Sequence, residues 1–160
     1  MQPDATVVSP LMRIPPPLVF ILMYLVGVAA QRTLPISIRA SDASRVIHVA
    51  GFVLVGFGIL IAFSALGLFR KVSTTIIPFE KPSTLVTSGP YRFSRNPMYV
   101  SMTLLYLGVA AIRLEIWPVL VLPLVLVYLN FLVIPVEERR LHDVFGGEYQ
   151  AYGARVRRWL

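Results

Sequence analysis

The feature that most constrains this chain is the stretch 46–69, which contains no formally charged residue. A helix rises about 1.5 Å per residue, so roughly 20 apolar residues cross about 30 Å of hydrocarbon. The stretch therefore predicts a membrane-spanning helix. Four glycines in it are expected to let another backbone approach closely: Gly51, Gly56, Gly58 and Gly67.

Three further apolar stretches, 14–30, 97–112 and 116–136, have the length of helices. Only residues 113–115 separate the last two, so we interpret them as a tight helical hairpin. Three prolines in the last stretch are expected to bend it. We therefore expect an all-α integral membrane protein, with a bundle of four transmembrane helices in a single domain over residues 1–160.

Composition supports a membrane location. Hydrophobic residues make up 56% of the chain and charged residues 14%, whereas soluble domains carry about 25% charged residues. This excludes a disordered chain or a coiled coil and disfavours a soluble enzyme. The net charge of +7 suits nucleic acid or an anionic membrane surface, and the hydropathy decides for the lipid bilayer, with no nucleic acid partner. The absence of cysteine excludes disulfides and a cysteine nucleophile.

The basic residues are distributed unequally between the two sides of the predicted bundle. Eleven lie on the side of both termini and the long central loop, and four lie on the other side. By the positive-inside rule both termini are cytoplasmic. We expect a bacterial or archaeal inner or plasma membrane, and no cleaved signal peptide.

Two cytoplasmic segments differ from ordinary connectors. In the segment 83–99, Asn96 and Pro97 suit the cap and first residue of a helix, whose N-terminus accepts an anionic group. Arg92 and Arg95 add positive charge there. The alternative is a capped helix with basic residues at the lipid headgroups.

The second segment begins with two adjacent carboxylates, Glu137 and Glu138, directly after the fourth apolar stretch. The negative end of a helix dipole disfavours them unless a cation compensates. Arg139 and Arg140 or a bound cationic ligand are the two alternatives. Because the 113–115 turn makes helices three and four neighbours, we expect a pocket between the two segments.

The C-terminal residues beyond the carboxylates predict a cytoplasmic amphipathic helical segment, broken at Gly146 and Gly147. It either anchors on the membrane surface or folds over the pocket as a lid. The isolated His48 and His142 give no metal-ligand spacing, so no metal is expected. The apolar positions of the segment are Leu141, Val144, Phe145, Tyr149, Tyr152, Val156 and Trp159.

At these two segments the chain resembles the integral membrane methyltransferases typified by isoprenylcysteine carboxyl methyltransferase, with phosphatidylethanolamine N-methyltransferase more distant. The family pattern is an LVT-x-G-x-Y run, an R-H-P-x-Y motif at a helix start, and a Glu-Glu pair followed by L-x-x-x-F-G-x-x-Y-x-x-Y. Here the three elements are found at residues 85–91, 95–99 and 137–152, within the C-terminal half of the chain.

The resemblance implies a cytoplasmic site for S-adenosyl-L-methionine as the cofactor, from 83–99 and 137–152. Arg95, Glu138 and Asn130 are the candidate catalytic residues. The implied cofactor contacts are Ser83, Thr84, Leu85, Val86, Tyr91, Asn96, Pro97, Met98, Tyr99 and Glu137.

Two positions depart from the pattern. Asn96 stands where the motif has His, which excludes a titrating imidazole but keeps a helix cap. Val133 stands where the prenylcysteine enzyme has a substrate-binding Arg, which disfavours a prenylcysteine carboxylate. Asn130, about one turn earlier, is expected either to line the acceptor pocket or to make an interhelical hydrogen bond.

The leading hypothesis is S-adenosylmethionine-dependent methyl transfer to a lipophilic or small acceptor at the cytoplasmic membrane face. The alternative is a non-catalytic membrane scaffold or regulatory protein that keeps the family fold; a nicotinamide-dependent membrane reductase is a third possibility. A phospholipid, an isoprenoid and a small thiol fit the apolar lining equally well. The attacking atom and the oligomeric state stay open.

Overall fold

The computed structural model describes residues 14–36, 41–71 and 84–160, with only the backbone of 41–43 and 69–71. This part of the chain contains helices and no strand. The helices are α1 (Pro16–Thr33), α2 (Ser41–Lys71), α3 (Pro97–Ile112), α4 (Ile116–Tyr128), α5 (Ile134–Phe145) and α6 (Gly147–Arg155), and a short 3₁₀ helix, Gly89–Arg92, precedes α3.

Three of the described helical segments are long and apolar enough to cross a membrane: Pro16–Thr33, Ser44–Leu68 and Ile116–Phe145. The third predicted span, Pro97–Ile112, has the predicted bounds but is a shorter apolar helix of 16 residues. The first helix begins at Pro16 and ends at Thr33, slightly later than predicted. Proline at its start costs no hydrogen bond, because the first N–H groups of a helix have no partner within it.

The helix of the fourth predicted span does not end with the apolar stretch at residue 136. The helix continues to Phe145, with a π-helical turn, Leu129–Val133, between α4 and α5. Proline has no N–H for the carbonyl four residues earlier, and Pro135 lies two residues after this turn, which accounts for the local change of helical pitch. Glu137 therefore lies in the first turn of α5, so the dipole argument made for a helix C-terminus does not apply to it.

Helices α2 and α3 pack backbone against backbone. A Cβ added at Gly108 would lie 2.8 Å from the carbonyl oxygen of Gly51, and one added at Gly58 would lie 3.0 Å from the carbonyl of Ser101. The predicted close approach is thus confirmed for Gly51 and Gly58. By contrast, a Cβ at Gly56 or Gly67 would meet nothing within 4 Å.

The predicted hairpin of α3 and α4 is present. Leu114 makes the turn with a positive φ of 54°, and the Tyr106 hydroxyl donates to the Pro118 carbonyl at 2.9 Å near that turn. Helix α2 packs along α3, and α1 packs along α4. We call the opposite end of the bundle, where α3 begins and α4 passes into α5, the site end. The buried core between α1, α3 and α4–α5 consists of Phe20, Tyr99, Tyr106, Leu122, Val125, Leu129 and Ile134.

Candidate functional site

The loop before α3 is fixed against the end of α2. Val86 and Tyr91 form a small buried cluster with Ala65, and Leu68 and Met98 pack on it. Gly89 has a φ of +58°, and a Cβ there would lie 2.7 Å from Leu68 Cδ1. The turn that presents Tyr91 therefore needs glycine for its backbone and for the space.

Asn96 occupies the N-cap position of α3, but its side chain makes no cap hydrogen bond. Its Nδ2 donates instead to the Arg158 carbonyl at 2.9 Å, and its own N–H donates to Ser94 Oγ at 3.0 Å. The side-chain capping that favours Asn at this position is thus replaced by a contact with the C-terminal end of the chain.

One hydrogen bond connects the two predicted motifs. The Tyr99 hydroxyl, in the first turn of α3, donates to Glu137 Oε1 in α5 at 2.7 Å. The Tyr99 side chain is buried, with 8% of its surface exposed. A phenol that donates to a carboxylate orients it and partly compensates for the loss of water around it.

Glu138 lies between two guanidinium groups. Arg95 Nη1 is 3.0 Å from Glu138 Oε1, while Arg158 donates from Nε to Oε1 at 3.1 Å and from Nη2 to Oε2 at 2.6 Å. The neighbouring Arg139 donates from Nε to the Pro135 carbonyl and is exposed. The cations at Glu138 therefore come from the start of α3 and the C-terminus, and Arg139 supplies neither of them.

Asn130 belongs to the same network. Its Oδ1 accepts from Arg158 Nη1 at 3.3 Å and from Trp159 Nε1 at 3.2 Å. The three candidate catalytic residues, Arg95, Glu138 and Asn130, are thus brought together, and Arg158 contacts two of them. Sequence reasoning missed Arg158, because nothing distinguishes it from the adjacent basic residues of an amphipathic segment.

The C-terminal helix packs on the site. Tyr149 and Tyr152 of α6 are buried, and the Tyr152 hydroxyl donates to the Tyr91 carbonyl at 2.7 Å. Burial raises the pKa of Tyr152 to about 12, and burial likewise raises the pKa of Tyr91 and of Tyr149. These phenols are therefore neutral hydrogen-bonding groups at neutral pH.

Beyond α6 the chain turns back over the start of α3. We call residues 156–160 the tail. The backbone is extended at Val156, and the Arg157 carbonyl accepts from the Arg95 N–H at 2.9 Å. Through this hydrogen bond the tail provides a partner for the backbone just before α3.

A groove of about 550 Å³ lies between α3 and α4 at the site end. None of its lining residues belongs to 83–99 or 137–152, so it is not the pocket expected between those two segments. The tail closes one part of it. Its lining is almost wholly apolar: Val100, Thr103, Leu104, Leu126, Val127, Asn130, Phe131, Trp159 and Leu160.

A sequence model of the phospholipid methyltransferase family matches residues 46–148, which is more than half of the chain. The chain belongs to the phospholipid methyltransferase family. No curated protein and no solved structure gave a match.

The family match covers the elements that build the site, from α2 to the start of α6. It includes both residues of the Tyr99–Glu137 hydrogen bond. Arg158 and Trp159, which hold Asn130, lie beyond the matched residues. Membership in a family of membrane methyltransferases agrees with the apolar helices and with the coarse prediction of the activity.

The predicted cofactor contacts lie at the site end where the structure describes them. Ser83 lies outside the described residues. Thr84 is exposed, Leu85 is partly buried, and Pro97 and Met98 lie in the first turn of α3. In the described part of the chain no group of three potential metal ligands occurs.

Proposed function

We propose that this phospholipid methyltransferase family member transfers a methyl group from S-adenosylmethionine to a lipophilic acceptor at the cytoplasmic membrane face. The observation that carries the proposal is the Tyr99–Glu137 hydrogen bond, at 2.7 Å. It joins the two motif segments beside the Arg95–Glu138 ion pair. A partly buried carboxylate and a guanidinium near it provide complementary partners for a zwitterionic amino acid group.

The residues present fit this cofactor. Arg95 Nε is buried and has no hydrogen-bond partner in the described part of the chain, although the other end of the guanidinium pairs with Glu138. A buried N–H donor without a partner is costly, and a carboxylate would satisfy it. We assign the cofactor carboxylate to Arg95 and its ammonium or sulfonium charge to Glu137.

The other residues of the site have supporting roles in the proposal. Tyr99 holds the Glu137 carboxylate in one orientation, and Tyr91 offers an aromatic surface beside it. Further contacts are proposed from Ser83 to Val86 and from Asn96 to Met98. When bound, S-adenosylmethionine supplies an electrophilic methyl group, and the chain's own contribution is to orient the reactants and exclude water.

The groove between α3 and α4 is the proposed acceptor site. Its walls are apolar, and Phe131 and Val127, which lie on them, are exposed on the surface of the helix pair. An acceptor dissolved in the bilayer reaches such a groove sideways, without passing through water. We further propose four spans with both termini in the cytoplasm, because this arrangement puts the site end on the positively charged side.

Within the family, we propose a kinship with the isoprenylcysteine carboxyl methyltransferases, based on the motifs at 85–91, 95–99 and 137–152. The departure at Val133 argues for a different acceptor, since the cation that would bind a prenylcysteine carboxylate is missing there. Arg158 of the tail supplies a guanidinium to Asn130, about one turn away from that position.

Binding of S-adenosylhomocysteine to the detergent-solubilised protein tests the proposal. Replacing Glu137 by Gln removes a charge and is expected to weaken binding by about 1–3 kcal/mol, while Tyr99→Phe removes one donor and is expected to cost about 1 kcal/mol. Glu148→Gln is the matched control, because that carboxylate is exposed on α6 and is expected to leave binding unchanged.

Transfer of a labelled methyl group into a lipid extract then separates the enzyme from the scaffold alternative. Label carried by the wild type and lost in Glu137→Gln supports the enzyme. A folded wild-type protein that binds no S-adenosylhomocysteine would refute the proposed function. Binding without transfer to any lipid fraction favours the non-catalytic alternative.

A further inference from the structure

The groove between α3 and α4 contains three polar side chains among its lining residues: Thr103, Asn130 and Trp159. The Thr103 hydroxyl donates to the Tyr99 carbonyl of its own helix at 2.8 Å. Trp159 has one side-chain donor, and this Nε1–H group is used on Asn130. Two of the three polar groups are therefore already engaged within the protein.

The amide of Asn130 has a defined orientation. Arg158 and Trp159 can only donate hydrogen bonds, so the atom that they share must be the oxygen Oδ1. The other polar atom of the amide is then the nitrogen Nδ2, which carries two N–H donors. Nδ2 has no partner within the described residues and is not among their buried unsatisfied atoms.

The arrangement is held by a chain of contacts from outside the groove. Glu138 fixes the Arg158 guanidinium through two hydrogen bonds, at 3.1 and 2.6 Å, and Arg158 in turn fixes Asn130. The backbone carbonyl of Arg158 accepts from Asn96, which holds the tail in place. Donation from a cation to Oδ1 polarises the amide and makes its N–H groups stronger donors.

We propose that Asn130 selects the methyl acceptor by donating a hydrogen bond from Nδ2 to an oxygen atom of it, and that Arg158 and Trp159 are the positioning residues that aim this donor. The inference rests on the proposed function and specifies its acceptor as a lipophilic molecule with an oxygen atom close to its apolar chain. An oxygen-free lipophile or a simple thiol leaves the donor without a partner in an apolar groove and is disfavoured.

A displacement experiment tests this selection directly. In a Trp117→Phe background, Trp159 is the only tryptophan, and it lines the groove. The probe is 1-bromododecane, whose bromine quenches a tryptophan that it touches. Methyl dodecanoate and pentadecane, which have the same number of heavy atoms, are then compared as competitors at equal mole fractions in detergent micelles.

We expect methyl dodecanoate to displace the probe at a roughly 3- to 10-fold lower mole fraction than pentadecane, the range for one net hydrogen bond. Asn130→Asp keeps an oxygen for the tail but replaces the donor by a second oxygen, and it is expected to abolish the preference. Asn130→Leu is expected to do the same. Thr103→Val, which removes a hydroxyl already engaged, is the matched control and is expected to keep the preference.

Two further variants test the positioning role. Arg158→Met removes one of the two groups that hold Oδ1 and is expected to reduce the preference by about half or more, while Arg158→Lys retains a cationic donor and is expected to restore part of it. A merely structural contribution of Arg158 would weaken the binding of both competitors alike and would leave their ratio unchanged.

Equal displacement by the two competitors would overturn the inference, as would a preference that survives in both Asn130 variants or a failure of 1-bromododecane to quench Trp159. Binding of S-adenosylhomocysteine, measured on the same samples, is expected to change less than twofold in Asn130→Asp. If the protein binds S-adenosylhomocysteine but shows no preference for the ester, the inference fails and the proposed function stands. If it binds no S-adenosylhomocysteine, the proposed function fails.

Discussion

Replacing Glu138 by Gln tests whether charge holds the tail over the start of α3. The carboxylate accepts three N–H contacts from two cations, at 3.0, 3.1 and 2.6 Å. An amide keeps one acceptor oxygen, and its NH₂ group is turned toward a guanidinium. The change also leaves Arg95 and Arg158 close together without an intervening negative charge, so we expect the tail to be held less tightly.

The magnitude follows from the exposure of the three groups. Hydrogen bonds to charged groups contribute about 1.5–3 kcal/mol each, whereas fully exposed ion pairs contribute less than about 1 kcal/mol. The side chains of Glu138, Arg95 and Arg158 are 18%, 19% and 34% exposed, which is intermediate between these limits. We therefore expect a loss of about 2 kcal/mol, or about a 30-fold lower ratio of docked to undocked tail.

Fluorescence of Trp159 in the Trp117→Phe background measures this ratio. A docked indole donates to Asn130 and lies against the groove, so it is shielded from iodide; an undocked one is not. Glu138→Gln is expected to raise the quenching constant clearly, and Glu148→Gln, at an exposed position of α6, is expected to leave it unchanged. Equal quenching in Glu138→Gln and in the parent would refute the idea that the ion pairs hold the tail, and backbone hydrogen bonds alone would then be sufficient.

Two further predictions concern stability. Gly108→Ala places a Cβ 2.8 Å from the Gly51 carbonyl oxygen and is expected to cost about 1–3 kcal/mol of folding stability by overpacking, measured as a lower thermal midpoint in circular dichroism. Gly56→Ala, with nothing within 4 Å of the added Cβ, is expected to be neutral or stabilising. Equal midpoints for the two variants would contradict the backbone contact. The raised pKa of Tyr152 favours the neutral phenol in the folded state, so its stabilising contribution is complete below pH 10 and is lost as the pH rises from about 10 toward about 12. Tyr152→Phe is expected to flatten this alkaline loss in pH-dependent melts, and an unchanged slope would assign the loss to other groups.

The helices were predictable where apolar length and local chemistry agreed. Helix α3 begins and ends as predicted, because Asn96-Pro97 marks its start and the short turn 113–115 follows its end. The end of α4–α5 was not predictable by the same reasoning. Hydropathy falls at Glu137, but the backbone stays helical as far as Gly146, whose φ of +52° ends α5. The change from apolar to polar residues shows where the apolar surface ends, but it does not show where the helix ends.

The site shows a similar division. Tyr99 and Glu137 belong to sequence motifs, and their contact is consistent with the prediction that the two segments are neighbours. The partners that the tail supplies to Glu138 and Asn130 were not predictable, because they lie 20 to 29 positions further along the chain. Such pairing depends on how α6 turns back after Gly146. Local propensity specifies that break but leaves the direction of the following segment open.

The same geometry explains why different segments of the chain are proposed to contact the cofactor and the acceptor. A lipid-exposed helix cannot present many polar side chains to hydrocarbon, so polar partners for a groove between two such helices must come from segments at their ends. The loop before α3 and the first turn of α5 provide those proposed for the cofactor, and both lie within the residues matched to the phospholipid methyltransferase family. Arg158 and Trp159, which orient Asn130, lie outside that match. The tail can change without altering the Tyr99–Glu137 contact, but its backbone also accepts hydrogen bonds from Arg95 and Asn96, which are proposed to contact the cofactor. Exchange of the tail is therefore expected to change acceptor preference and cofactor binding together.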